Sequence, residues 1–244
     1  ATLYHDDVMD EAPLRRGVAS ANNRWGNTVA ILTGDYLFAK ASDLLADLGP
    51  VAVRLQARTF ERLVIGQITE TQGATAGKSA LEHYLGVVAD KTGSLISTSA
   101  RFGAMMSGAD PSVIEIMATY GEKIGLVFQL ADDIIDIASS STESGKTPGT
   151  DLREGVPTLV TLFILESTDP ADADLKKILS APITDENVVA QTLLALRSHK
   201  AMSQAREIVQ RYAEEATAVL APLPDGAAKS ALVELSNAVI TRTS

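Results

Sequence analysis

Cysteine is absent from all 244 residues, which excludes disulfides and thiolate metal sites and is compatible with a reducing, cytoplasmic setting. Basic residues are also short: 21 Lys and Arg stand against 31 Asp and Glu, a net charge of −10. That balance disfavours nucleic acid as a partner and argues against a general basic membrane-binding surface. Any anionic substrate must then be met locally, by metals and a few Lys and Arg. No uncharged run reaches the length of a membrane span, and no signal peptide is visible. Alternating apolar and polar strands are missing apart from one ambiguous run, Leu159 to Leu165. The expectation is an all-α chain, and its even composition favours one large domain over 1–244. Apart from two Asp motifs there is no internal repeat and no low-complexity tail.

Those motifs organise the rest. The first lies in Tyr4-His5-Asp6-Asp7-Val8-Met9-Asp10, where Asp6 and Asp10 at i and i+4 share one helix face with Asp7 beside them. Such a face repels itself unless cations sit on it. The second lies in Phe128-Gln129-Leu130-Ala131-Asp132-Asp133-Ile134-Ile135-Asp136 and repeats the design with Asp132, Asp133 and Asp136. One Asp-Asp-x-x-Asp is common on solvated helix faces. The second copy sits among Phe128, Leu130, Ile134 and Ile135, and buried carboxylates need a metal or a basic partner. Mg²⁺ suits two such faces, because it takes one or two carboxylates, keeps water and fills its other positions with substrate phosphate. The pattern reads as a metal-bridged diphosphate site.

The first helix should stop near Pro13. Arg15-Arg16-Gly17 then follows in a loop through Ser20, Asn22, Asn23 and Gly26. Helical spacing runs from Thr28 to about Leu48, from Val51 to about Gly73, and from about Ser79 to Ser107. After Gly108-Ala-Asp110-Pro111, a further helix carries the second cluster to about Ala138. The polar stretch Ser139 to Gly155 reads as a flexible loop, and from Pro157 four or so shorter amphipathic helices follow. The reactive motif lies so close to Ala1 that its helix is expected to begin earlier than this sequence.

A diphosphate also needs direct cations and donors. Arg15 and Arg16 are placed for bidentate phosphate contact, or for pairing with the helix C-terminus. Lys91-Thr92 opens a run of small residues through Ser94, Ser97 and Gly103 that leaves room for a ligand or packs helices closely. Gln129 sits one turn before Asp133, and Lys146 rides the glycine-bearing loop, which could close as a lid.

Asp6-Asp7-x-x-Asp10 with Arg15-Arg16-Gly17, then Gly34-Asp35-Tyr36-Leu37, Lys91-Thr92, Gln129-x-x-Asp132-Asp133-x-x-Asp136, and Gly145-Lys146-x-x-Gly149-x-Asp151-Leu152-x-Glu154-Gly155-x-x-Thr158-Leu159 together resemble the trans-prenyltransferases, the polyprenyl diphosphate synthases. The motifs keep the family's order from Ala1 to about Leu159. The resemblance implies an all-helical bundle of the isoprenoid synthase type with a central cavity, mostly homodimeric, about three Mg²⁺, an allylic diphosphate substrate and isopentenyl diphosphate as the added unit. It further implies metal binding by Asp6, Asp7, Asp10, Asp132, Asp133 and Asp136, and substrate binding by Arg15, Arg16, Lys91, Thr92, Gln129 and Lys146. Catalytic work falls to Asp6, Asp10, Arg15, Lys91 and Asp132, and a peripheral membrane contact serves product release. Two features depart from the pattern: the upstream Gly-Lys-x-x-Arg-Pro-type segment is not in this sequence, and a Lys often found after the loop's Glu-Gly is Val156.

The implied chemistry needs no side-chain nucleophile, so the absence of Cys and the three His residues are no obstacle. A class I terpene cyclase would usually carry Asn, Ser or Thr, and Glu in the second motif. A non-catalytic regulatory subunit tends to lose Asp from one motif, whereas both are intact here. In short-chain members the position five before the first Asp is often aromatic and floors the cavity. Here it is Ala1, followed by Thr2, which points to a long-chain product.

Overall fold

The computed structural model describes residues 1–74, 77, 79–139 and 148–241. The chain forms two compact units, Ala1–Arg58 and Thr59–Ser244, with the boundary inside one helix. Both are helical, as expected.

The first unit holds α1 (Thr2–Met9), α2 (Ala21–Trp25), α3 (Asn27–Ala46) and the start of α4 (Pro50–Gln72). The loop expected from Arg15 through Gly26 is instead a short hairpin, β1 (Leu14–Arg15) antiparallel to β2 (Val18–Ala19), followed by the helical turn α2 over Asn22 and Asn23. The hairpin's two-residue turn has φ of 52° at Arg16 and 79° at Gly17, the left-handed pair that a tight hairpin requires. Two-residue strands are too short to show alternation, so the sequence pattern could not reveal them. The segment after α1 is tied down by Ser20, which caps α2 and donates to the Ala12 carbonyl at 2.5 Å, and by Asn22, which donates to the Asp7 carbonyl at 3.0 Å.

The second unit is built on α7 (Pro111–Ala138). Pro111 opens this helix, where its missing N–H costs nothing. Val127, Leu130, Ala131 and Ile134 are wholly buried, and Ile124 and Ile137 nearly so, at helical spacing. Before α7 come α5 (Ala80–Val88) and α6 (Ser94–Met106). The single helix expected from Ser79 to Ser107 is interrupted between them by a π-turn, Ala89–Gly93. After it come α8 (Thr150–Glu154), α9 (Leu159–Glu166), α10 (Ala173–Leu179), α11 (Glu186–Ser198), α12 (Lys200–Val219) and α13 (Ala227–Thr241).

Three further readings are sharpened or corrected. The ambiguous run at residues 159–165 is helix: Thr158 and Thr161 cap each other's backbone, and Leu159, Val160, Leu162 and Ile164 are buried, so the run is apolar on several faces. Part of the expected Ser139 to Gly155 loop is α8, while Gly145 and Lys146 lie outside the described residues. Beyond Pro157 the described residues form five α-helices rather than about four, besides a 3₁₀ turn at Pro170–Asp172.

Of the small residues after Lys91, those around Gly93 and Ser97 pack closely against α7, whereas a Cβ on Gly103 would meet nothing within 4 Å. A Cβ on Gly125 would lie 2.8 Å from the Gly93 Cα, and one on Gly121 would lie 2.6 Å from the Ser97 Cα. Ser97 also donates to the Ala118 carbonyl at 2.8 Å. Gly121→Ala is therefore expected to cost about 1–3 kcal/mol, since backbone rather than a mobile side chain must yield. Urea denaturation measures it, and an unchanged midpoint would refute this contact.

Candidate active site

The first aspartate cluster is not uniform. Asp7 is 4% exposed, and Arg15 donates from Nε to its Oδ1 at 2.7 Å, with Nη2 of the same fork at 2.5 Å. The hairpin makes this possible by returning Arg15 to α1. Asp6 is half-buried, and Asp10 is exposed at the C-terminal cap of α1. Arg16 is exposed in the turn, and Ala1, also exposed, directly precedes half-buried Thr2 of α1. His5 anchors the helix: its ring rests on Gly34, where a Cβ would lie 2.5 Å away, and its Nε2 is 3.0 Å from Asp35 Oδ1.

The second cluster repeats that division of labour. Asp133 is 7% exposed, accepting from Gln129 Nε2 at 2.9 Å on one oxygen and from the Tyr84 hydroxyl on the other. Gln129 in turn accepts from Thr92 Oγ1 at 3.0 Å, so a continuous chain joins the π-turn to the cluster. Asp132 and Asp136 are half-buried. The Asp136 carboxylate takes the backbone N–H groups of Thr150 at 3.2 Å and Asp151 at 3.3 Å. In each motif the second aspartate is the buried one, held by neighbours, and the first and last are more open.

Charge crowding is severe here. Burial, and then the neighbouring Asp132 and Asp136, raise Asp133 to about 6 against the lowering effect of Tyr84 and Gln129. Burial followed by Asp133, Asp136, Glu154 and Asp132 raises Asp151 to about 8. Burial and the Asp133 carboxylate also push the Tyr84 phenol well above its ordinary range. A set of hard oxygen donors that disfavour their own charge fits a hard dication. Among the described residues no three His, Cys, Asp or Glu side chains form a metal cage by themselves. An ion that completes its shell with water and phosphate needs none.

Lys91, on the π-turn, pairs with Glu70 at 2.5 Å. Tyr84 and Glu70 are absent from the sequence motifs, and Asp151 stands in one without an assigned role. Tyr84 carries no motif signal, and its role follows only from the packing of α5 on α7; Asp151 lay within a quoted motif whose acidic neighbours offered a clue.

The chain matches the polyprenyl synthetase family over residues 1–196. It belongs to that family. It is 50% identical over 242 residues to a nonaprenyl diphosphate synthase of Mycobacterium tuberculosis, covering 99% of this chain and 72% of that one. It is 34% identical over 244 residues to a decaprenyl-diphosphate synthase of Dictyostelium discoideum, covering all of this chain and 52% of that one. Its fold is similar, with a TM-score of 0.86 and 44% identity, to a geranylgeranyl pyrophosphate synthase of Corynebacterium glutamicum complexed with calcium and isoprenyl diphosphate, covering 99% of this chain and 73% of that one. The synthase is thus an enzyme, a prenyltransferase with the all-α isoprenyl diphosphate synthase fold. Among its described residues no helix is long and apolar enough to cross a membrane.

Proposed function

We propose that the synthase condenses an allylic diphosphate with isopentenyl diphosphate units to give a long-chain all-trans polyprenyl diphosphate. The observation that carries this is the matched pair of clusters, each with one aspartate buried on neighbours and two more open. Asp6, Asp10, Asp132 and Asp136 are the leading metal ligands, with Asp7 and Asp133 completing the six. About three Mg²⁺, when bound, neutralise charge on the departing diphosphate. Lys91 and Arg15 add direct cationic contacts, and Lys146, which lies outside the described residues, is assigned the same role. The allylic C–O bond breaks and the diphosphate leaves with the electron pair. The double bond of isopentenyl diphosphate, held in part by Arg16, then forms the new C–C bond, and a proton passes to the diphosphate. Thr92 and Gln129 hold the second cluster in register through Asp133. These groups stabilise charge where it develops.

The family match over residues 1–196 crosses the boundary between the two compact units, and with the relative aligned over 242 residues this supports one domain over 1–244. A homodimer is proposed because Leu32, Tyr36 and Leu44 of α3 are 61%, 67% and 61% exposed, an apolar surface poorly suited to water. A cytoplasmic enzyme with peripheral membrane contact suits charged substrates and an apolar product.

Tyr84→Phe tests the site. Losing the hydroxyl leaves one Asp133 oxygen without its donor, and the Mg²⁺ concentration for half-maximal activity is expected to rise about 10-fold or more. An unchanged Mg²⁺ titration would contradict the assignment of the second cluster to metal.

A further inference from the structure

The π-turn that carries Lys91 and Thr92 is gripped from one side by a stripe on α4 with a period of four. Arg62 donates from Nε to Asp90 Oδ1 at 3.0 Å, from Nη1 to Glu122 Oε2 at 3.1 Å, from Nη2 to Glu122 Oε1 at 2.6 Å and from Nη2 to the Ala89 carbonyl at 3.4 Å. Four residues on, Gly66 admits the turn so closely that a Cβ would lie 2.9 Å from the Asp90 Cβ and 3.1 Å from the Lys91 Cγ. Four residues further, Glu70 holds the Lys91 ammonium. On the opposite side Gly93 lies against α7, where a Cβ would meet the Glu122 carbonyl at 3.3 Å.

We propose that Arg62 is a positioning residue for diphosphate binding, acting through the π-turn by bridging Asp90 of the turn to Glu122 of α7. A π-turn spends more residues per turn than an α-helix and persists only where its surroundings hold it. Each residue of an ordinary helix advances about 100°, so relaxation of the turn swings Lys91 away from its site and Thr92 away from Gln129. The guanidinium suits this task because its fork engages Glu122 in bidentate fashion while a further edge reaches Asp90 and a main-chain carbonyl. Glutamine at this position cannot span both acids, and it leaves Asp90 and Glu122 facing each other without their cation.

The inference rests on the reading of Lys91 as a diphosphate ligand, and a double-mutant cycle separates the two. The variants are Arg62→Gln, Arg62→Lys, Glu122→Gln, Lys91→Ala and the Arg62→Gln/Lys91→Ala and Glu122→Gln/Lys91→Ala pairs, each assayed for kcat and for KM of the allylic diphosphate. Binding of inorganic pyrophosphate with Mg²⁺ is measured calorimetrically on the same proteins. Arg62→Gln is expected to raise the allylic KM and weaken pyrophosphate binding about 10-fold, Arg62→Lys less, and the pair no more than Lys91→Ala alone. Glu122→Gln should show the same coupling with Lys91→Ala, which keeps the test open if Arg62→Gln folds poorly. Additive losses in both cycles would overturn the positioning role while leaving the Lys91 reading intact. If Lys91→Ala itself changes neither KM nor pyrophosphate binding, the reading fails and the inference fails with it.

Discussion

Asp6→Ala or Asp132→Ala is expected to lower turnover at least ~10³-fold with little loss of stability. Each removes a metal ligand, and with it the stabilisation of charge on the departing diphosphate, while relieving repulsion within its own cluster. Asp133→Ala should behave differently. That carboxylate is buried and accepts from both Tyr84 and Gln129, so its loss strands two donors and costs about 1–3 kcal/mol of stability in addition to activity. Steady-state kinetics paired with urea denaturation distinguishes the two kinds of aspartate. Near wild-type turnover in both Asp6→Ala and Asp132→Ala, with Mg²⁺ dependence unchanged, would end the metal reading.

Ala1→Phe is expected to shorten the products to about fifteen or twenty carbons while leaving the first condensation intact. The growing chain is read as running from the metal site past the start of α1, about one helical turn before Asp6. Thr2 lies in α1 four residues before Asp6 and Ala1 directly precedes it, so both stand at that level. A small side chain there lets the chain extend, and each five-carbon unit gains a few kcal/mol at ~0.8 kcal/mol per buried CH₂-sized group. Product analysis by mass spectrometry decides it, and an unchanged distribution in Ala1→Phe would place the floor elsewhere.

The helical class and the long α7 were legible because apolar spacing survives over many turns: Ile124, Val127, Leu130, Ala131, Ile134 and Ile137 are all buried as their spacing predicts. The two aspartate motifs were legible because like charges at i and i+4 are costly without a purpose. What stayed hidden depends on contacts distant in sequence or on elements too short to show a period. The Arg15 hairpin rests on one tight turn, and the π-turn at Lys91 rests on Arg62, Gly66 and Glu70, some twenty to thirty residues upstream. The difference between Asp7 and Asp6, or between Asp133 and Asp132, is likewise a matter of which neighbour each meets.

The most direct measurement is the product length made by the purified synthase from isopentenyl diphosphate with farnesyl or geranylgeranyl diphosphate, in the presence of Mg²⁺ and after its chelation. The account predicts all-trans diphosphates longer than about twenty carbons, formed only when the divalent ion is present. Condensation that stops at about twenty carbons would contradict the long-chain assignment, and isopentenyl incorporation that persists without a divalent ion would contradict the metal-dependent mechanism.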